Sequence, residues 1–463
     1  MNAPALALED APPRSLASPV ARRLAREVWS LAWPAITHML LITAVFFTGR
    51  VLLGRHSPTA LASLQVSGTL TWTVYSVFTA FSAATLAVVA RSVGAGDRLA
   101  AARATRSSLV FAFGAGVLVS AGFLLANGSL LRLLFPRAGA EVLHDASAYL
   151  HIVVPFLPLA FVEATAAAAL QGSGDTRTPL YVASIGSLAN VALSACLIFG
   201  KLGLPALGVR GAAIGAASTM AIEGLILTGL LLSKKSPLPL REAARATSLP
   251  ELRRVARVAL PALGEKLIYH GGYLAYVAII GLLGAAAMAA NQGLISIEAV
   301  SFLSADGFGV AAAAIVAQKL GNKRPDEAMA AGRLSAGLAT AMLTACGLAF
   351  AIAPRALTSL FSDDPSIVSL GARTLLVAAV AQPFMAYATV IGMSLRGAGD
   401  TKTVLVVMGV CSFAVRLLAT WLFAITLDLG LIGVWIGSGA DWICRAVWLG
   451  LLWRRGRWRF ATA

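Results

Sequence analysis

The sequence predicts an all-α integral membrane protein with twelve transmembrane helices, arranged as two parallel six-helix repeats. Two observations support this fold class. The composition is 58% hydrophobic and only 13% charged, whereas a soluble domain averages about 45–50% apolar and about 25% charged residues. Two nearly identical loops also lie at corresponding places in the two halves, each between long apolar segments, which indicates an internal repeat.

Twelve apolar segments are long enough to span a bilayer, which requires about 20 residues each. They lie at 27–53, 60–90, 108–131, 147–170, 180–200 and 211–232 in the first half, and at 258–284, 291–317, 334–353, 371–394, 404–426 and 433–452 in the second. We therefore expect a cytoplasmic tail (1–26), an N-lobe (27–232), a cytoplasmic linker (233–257), a C-lobe (258–453) and a basic tail (454–463).

The two repeated loops are the structural signature of the chain. The first contains Gly172, Gly174, Asp175 and Thr176, and the second contains Gly397, Gly399, Asp400 and Thr401. Glycine can end a helix in left-handed backbone, and Asp or Thr can cap the next helix. Pro34 likewise matches Pro261, 227 positions on, and Gly211 matches Gly433, 222 positions on. Since each half has an even number of spans, both halves enter the membrane from the same side as parallel repeats.

The net charge of +16 indicates topology rather than nucleic-acid binding, because the basic residues lie in short loops between apolar segments. With the N-terminus inside, the inner segments carry 26 Lys and Arg residues and the outer loops carry 6. The positive-inside rule therefore places both termini in the cytoplasm. We expect a multi-pass protein of the bacterial inner membrane.

These motifs together resemble the multidrug and toxic compound extrusion (MATE) family of cation-coupled antiporters, over about residues 27–453. The resemblance is carried by the paired Gly-x-Gly-Asp-Thr loops, by the openings 31–34 and 258–261, and by 307–311 leading to 318–322. It implies a V-shaped pair of six-helix lobes. It also implies export of amphipathic, often cationic compounds against inward H⁺ or Na⁺.

Acids inside the membrane are the candidates for coupling, because the sequence has no Gly-x-x-x-x-Gly-Lys-[Ser/Thr] loop for ATP. A charge at a helix centre costs about 2.5–3.5 kcal/mol on insertion scales, so such acids should face a cavity. We predict Glu265, Glu298 and Glu163 as cation- or proton-coupling residues. Glu265 follows Pro261 by four residues, and the resemblance aligns it with the family's coupling acid in segment 7. Local ion pairs or structural hydrogen bonds are the alternatives.

Five further polar residues are predicted to line the cavity: Asp306, Asn190, Glu223, Asn291 and Gln292. Asp441 lies four residues before Arg445, and this spacing favours an ion pair within one helix. The chain departs from the family where some members carry acids in segments 1 and 5, since it has Gly49 and Ser194 there. H⁺ is therefore favoured over Na⁺ as the coupling ion.

Aromatic residues at helical spacing (Trp72, Tyr75, Phe78 and Phe81) predict a packing or lipid-facing stripe, with a substrate-binding wall as the alternative. Trp453 and Trp458 lie among four arginines and predict an interfacial anchor. The four cysteines have no metal-ligand spacing and are interpreted as packing residues.

The predicted function is secondary antiport of organic compounds, with a lipid-linked precursor flippase as the alternative and a membrane-embedded transferase as a remote one. No catalytic residue, cofactor or structural metal is predicted. The expected partners are small-molecule organic substrates, H⁺ or Na⁺, and membrane lipid, with no nucleic acid. We expect a monomer.

Overall fold

The computed structural model describes residues 19–135, 139–234, 236–245, 249–361 and 364–460, and no strand occurs among them. We number the twelve long helices in chain order. They are α1 (Pro19–His56), α2 (Pro58–Gly94), α3 (Arg98–Leu134), α4 (Ala140–Ser173), α5 (Arg177–Phe199), α6 (Val209–Leu232), α7 (Leu249–Leu282), α8 (Ala285–Gly321), α9 (Pro325–Ile352), α10 (Pro365–Gly397), α11 (Thr401–Thr426) and α12 (Gly430–Arg455).

Each predicted span coincides with one of these helices. Ten of them are long and apolar enough to cross a membrane, among the described residues. The other two, α7 and α12, contain 34 and 26 residues and carry charged side chains near their centres, Glu265 and Lys266 in α7 and Asp441 and Arg445 in α12. The all-helical membrane fold predicted from the sequence is therefore confirmed.

The signature loops end one helix and cap the next in the same way in both halves. Gly174 and Gly399 adopt φ of +96° and +92°, in the left-handed region that favours glycine. The Asp175 carboxylate accepts hydrogen bonds from the Thr178 N–H (2.9 Å) and hydroxyl (2.6 Å). Asp400 accepts one from the Thr403 N–H at 3.4 Å. The aspartate rather than the threonine is therefore the cap at each loop.

Glycine contacts show that the repeat packs alike in the two halves. A Cβ at Gly172 would lie 2.7 Å from the Leu86 carbonyl oxygen, and one at Gly397 would collide with the Ala313 carbonyl oxygen. Leu86 and Ala313 are 227 positions apart. Likewise Gly215 (α6) packs against Ser194 (α5), as Gly437 (α12) packs against Thr420 (α11). Helix pairs that approach this closely leave no room for a side chain.

Two compact units make up the described chain. Unit 1 contains the described residues within 19–36, 94–96 and 268–460, and unit 2 contains those within 37–93 and 97–267. The first half of α1 therefore packs within unit 1, where Leu24 and Val28 contact Ile315 and Ala331. The first half of α7 packs within unit 2, with Val255 in its hydrophobic core.

Helix α11 departs from regular α-helical geometry. Residues Cys411–Leu417 and Leu422–Thr426 are π-helical and flank a single α-helical turn. Such wide turns are rare and frequently occur at functional sites. Arg416 lies within the first of them.

The predicted interfacial anchor at the C-terminus is wrong. Gly456 adopts φ of +71° after α12, and the chain then turns back on itself. Trp453 and Trp458 are buried and stack with ring centroids 4.0 Å apart. The Trp458 indole N–H donates to the Trp453 carbonyl oxygen at 3.0 Å. These tryptophans stabilise the end of α12 instead of anchoring it in the membrane interface.

We predict that Gly172→Ala lowers the free energy of unfolding by about 1–3 kcal/mol, because the new methyl group would overlap the backbone of α2. Thermal unfolding of the purified protein in detergent measures the effect. Gly114→Ala in α3 is the matched control, since nothing lies within 4 Å of its Cβ position. Equal stability of the two variants would contradict the close packing.

Candidate coupling sites in the two units

Glu163 is the buried acid of α4 in unit 2. It lies about three turns before the end of the helix at Ser173, after which Gly174 adopts left-handed backbone. Its carboxylate accepts a hydrogen bond from the Tyr75 hydroxyl of α2 at 3.2 Å. The predicted structural hydrogen bond therefore exists, and it joins Glu163 to another ionisable group.

Glu223 of α6 lies close to the same pair. Its carboxylate packs against Gly186 of α5, where a Cβ would collide with it. It is close enough to Glu163 and Tyr75 for all three to interact electrostatically. Among the residues that the structure describes, no basic side chain forms an ion pair with either glutamate. Unit 2 thus holds two neighbouring carboxyl groups that have no counter-charge within the described part of the chain.

The aromatic stripe of α2 separates into two parts at this site. Phe78 and Phe81 are buried in the core, and Phe78 stacks on Phe161 with ring centroids 3.8 Å apart. Trp72 is 47% exposed, and its ring lies 5.6 Å from Phe46 in a T-shaped arrangement and 6.4 Å from Tyr75. The packing interpretation is therefore right for Phe78 and Phe81, while Trp72 stands exposed beside the tyrosine that contacts Glu163.

The remaining predicted residues of unit 2 are Asn190 and Glu265. The Asn190 side-chain oxygen accepts from the Ser194 hydroxyl at 3.1 Å, within α5. Glu265 is buried in α7. The offset of 227 residues between Pro34 and Pro261 makes Glu265 the counterpart of His38, which is also buried.

In unit 1, Glu298 of α8 meets α10. The Gln382 amide nitrogen donates to Glu298 at 3.4 Å and to the Ala378 carbonyl at 3.3 Å. The Gln382 side-chain oxygen is buried and has no hydrogen-bond partner among the described residues. An unpaired buried acceptor of this kind is costly.

The other predicted residues of α8 are Asn291, Gln292 and Asp306. Asn291 is buried and accepts from the Trp435 indole N–H at 3.0 Å. Gln292 is exposed, and Asp306 is half-buried. Asn291 therefore has a partner in the core of unit 1, between α8 and α12.

Two buried ion pairs of unit 1 involve Asp441. Asp441 is fully buried, and its two oxygens lie 2.6 Å from Arg445 Nε and 2.9 Å from Arg416 Nε. The ion pair predicted from the spacing of Asp441 and Arg445 is confirmed. The second arginine comes from α11 and was not predicted, because no sequence spacing connects two helices.

The repeat relates these clusters position by position. Arg416 precedes Thr420 by four residues, as Asn190 precedes Ser194, and the offset of 222 makes Arg445 the counterpart of Glu223. The same scaffold thus carries acids without a basic partner in unit 2 and two arginines around one aspartate in unit 1. Tyr75, Gln382 and Arg416 were missed as site residues, and comparing the charge at matched positions of the two halves would have found Arg416.

Comparison with known proteins identifies the family. The model of the MatE family matches the chain twice, at residues 34–196 and again at 261–422. The chain belongs to the MATE family. The double match confirms the internal repeat, and the members of this family are transporters, not enzymes.

Relatives of similar length support the assignment of this MATE transporter. It is 28% identical over 433 residues to a probable multidrug resistance protein NorM of Thermotoga maritima, covering 94% of this chain and 93% of that protein. It is 30% identical over 447 residues to a probable NorM of Pseudomonas putida, covering 92% and 94%. An outward-facing structure of a multidrug resistance MATE family transporter shares the fold, with a TM-score of 0.87 and 19% identity over 94% of this chain and 96% of that one.

We predict that Asp441→Asn lowers the free energy of unfolding by about 3–5 kcal/mol, because it leaves two buried arginines without their shared partner. Thermal unfolding in detergent measures the loss. Glu327→Gln is the control: Glu327 pairs with Lys319 and Arg324 in a partly exposed position, where ion pairs contribute about 0–1 kcal/mol. A smaller effect for Asp441→Asn than for Glu327→Gln would contradict the importance of the buried pairs.

Proposed function

We propose that this MATE transporter is a secondary antiporter that exports amphipathic, cationic organic compounds in exchange for H⁺ by alternating access. We place it in the bacterial inner membrane with both termini in the cytoplasm. Its relatives are named as multidrug resistance proteins, which supports a broad range of small organic substrates. The proposed coupling residues are Glu163 and Glu265, whereas Glu298, predicted as a third, interacts electrostatically with Arg416.

The observation that carries this proposal is the pair of acids in unit 2. Glu163 and Glu223 interact with each other and have no basic partner among the described residues. Two ionised carboxylates repel each other strongly in a low dielectric. The pair is therefore stable with a proton on one member, or with a cation bound beside both. A site that needs one positive charge, from either source, supports exchange of H⁺ for a cationic substrate.

The neighbouring aromatic residues support an organic cation as the substrate. Trp72 and Phe46 are exposed and form an edge-to-face pair beside Tyr75. The face of an aromatic ring attracts an organic cation, and this attraction is strongest for tryptophan. Carboxylates together with exposed rings suit an amphipathic cation better than the polyphosphate head group of a lipid-linked precursor, which would need basic residues.

We predict that Glu163→Gln abolishes substrate-induced collapse of a pH gradient in everted membrane vesicles, because the amide cannot exchange a proton. Tyr75→Phe removes only the hydrogen bond and should slow exchange without abolishing it. Glu141→Gln, at the exposed first turn of α4, is the control and should keep the native rate. Native exchange by Glu163→Gln, with normal expression, would overturn the role of the pair.

A separate variant tests Glu265. Glu265→Gln should also abolish the collapse of the pH gradient, since the proposed proton carrier in α7 is removed. Binding of the substrate to the purified protein, measured by fluorescence, distinguishes lost coupling from lost binding. Exchange at the native rate in this variant would leave Glu265 with a structural role only. Replacing the H⁺ gradient by a Na⁺ gradient in the same vesicles tests the coupling ion.

A further inference from the structure

We propose that the guanidinium of Arg416 neutralises the acids of unit 1 as a bound exchangeable cation would, and that it thereby prevents Na⁺ from binding there. The proposal rests on the proposed antiport function and adds the residue that selects the ion. It assigns the two units different tasks. The acids of unit 2 bind a proton or a cargo cation that is exchanged, whereas the acids of unit 1 are permanently neutralised by arginine.

The charges of the unit 1 cluster already balance. Glu298 and Asp441 supply two acids, and Arg416 and Arg445 supply two bases. Arg416 lies 2.9 Å from Asp441 and also interacts electrostatically with Glu298. One guanidinium thus serves acids from two different helices, α8 and α12. An added Na⁺ would leave an excess positive charge in the membrane, which is unfavourable.

The Arg416 guanidinium is held in place from several sides. It donates to the Ser438 hydroxyl at 3.1 Å. It also lies over the rings of Tyr276 and Trp442, at 5.4 and 5.8 Å from their centroids. Arginine suits such a site because its planar group stacks on aromatic faces and stays charged. Arg416 lies in the π-helical part of α11, a geometry that frequently occurs at functional sites.

Beside Glu298, unit 1 also contains a buried side-chain oxygen that accepts no hydrogen bond from the described residues. The Gln382 side-chain oxygen is buried without a hydrogen-bond donor, while its amide nitrogen contacts Glu298. If the guanidinium were removed, the oxygens of Asp441 and Ser438 that contact it would lose one positive charge, and so would Glu298, which interacts with it electrostatically. Oxygen ligands of this kind suit a hard cation such as Na⁺. The presence of Arg416 therefore decides whether this site is closed to Na⁺ or can bind it.

The test is the effect of Na⁺ on the thermal unfolding of the purified full-length protein, with choline as the reference cation. The wild type should shift by less than about 1 °C in 100 mM Na⁺, whereas Arg416→Gln should gain about 2–4 °C. Arg416→Lys keeps the charge and should behave as the wild type. The double variant Arg416→Gln/Glu298→Gln restores the charge balance and should lose the gain.

Two results would overturn the proposal. One is a folded Arg416→Gln protein that gains no more stability from Na⁺ than the wild type. The other is saturable binding of radioactive ²²Na⁺ to the wild type that Glu298→Gln abolishes, a measurement that stands even if Arg416→Gln fails to fold. Neither measurement requires transport. Loss of the antiport function in vesicles would therefore be distinguished from failure of the ion-selection role.

Discussion

A charged group in a bilayer must have a counter-charge, and this requirement explains where the ionisable residues of the transporter lie. Leaving an ion unpaired in this environment costs several kcal/mol. Unit 1 meets the requirement internally, because Asp441 contacts Arg416 and Arg445 and Glu298 interacts with Arg416. Unit 2 does not, since neither Glu163 nor Glu223 has a basic partner among the described residues, and Glu163 accepts a hydrogen bond only from the Tyr75 hydroxyl there. In the proposed antiport, the coupling ion or the cargo supplies this missing positive charge.

The repeated scaffold and the site chemistry vary independently. Glycines at matched positions hold α5 against α6 and α11 against α12 in the same way. Repeat offsets relate positions in the two halves, 227 in α2 and 225 in the signature loops. By these offsets, the position that corresponds to Tyr75 is Phe302, and the position that corresponds to Glu163 is Ala388. Backbone contacts are thus preserved where a Cβ would collide, whereas side chains facing the interior of each unit differ in charge. Duplication supplied one framework for two electrostatic environments.

The sequence predicted the helices and the repeat because long apolar runs and left-handed glycines are local signals. It also predicted the Asp441–Arg445 pair, since four residues along a helix place side chains together. It did not predict that Arg416 joins them or that Tyr75 contacts Glu163, because both contacts connect different helices. The Trp453 and Trp458 prediction failed for a related reason. Their orientation depends on the reversal at Gly456, which composition does not reveal.

The π-helical turns of α11 have an evolutionary consequence. The signature aspartates are 225 positions apart, but Ser194 and Thr420, which occupy the same helix contact, are 226 apart. One amino acid has therefore been inserted in α11 relative to α5, and a π turn absorbs an extra residue without breaking the helix. In a regular α-helix an inserted residue would rotate the flanking side chains relative to each other by about 100°, whereas the wider π turn takes up the extra residue and leaves the flanking side chains on their original faces. A single inserted codon could thus have added a side chain to this turn of α11 while the rest of the helix kept its ancestral face.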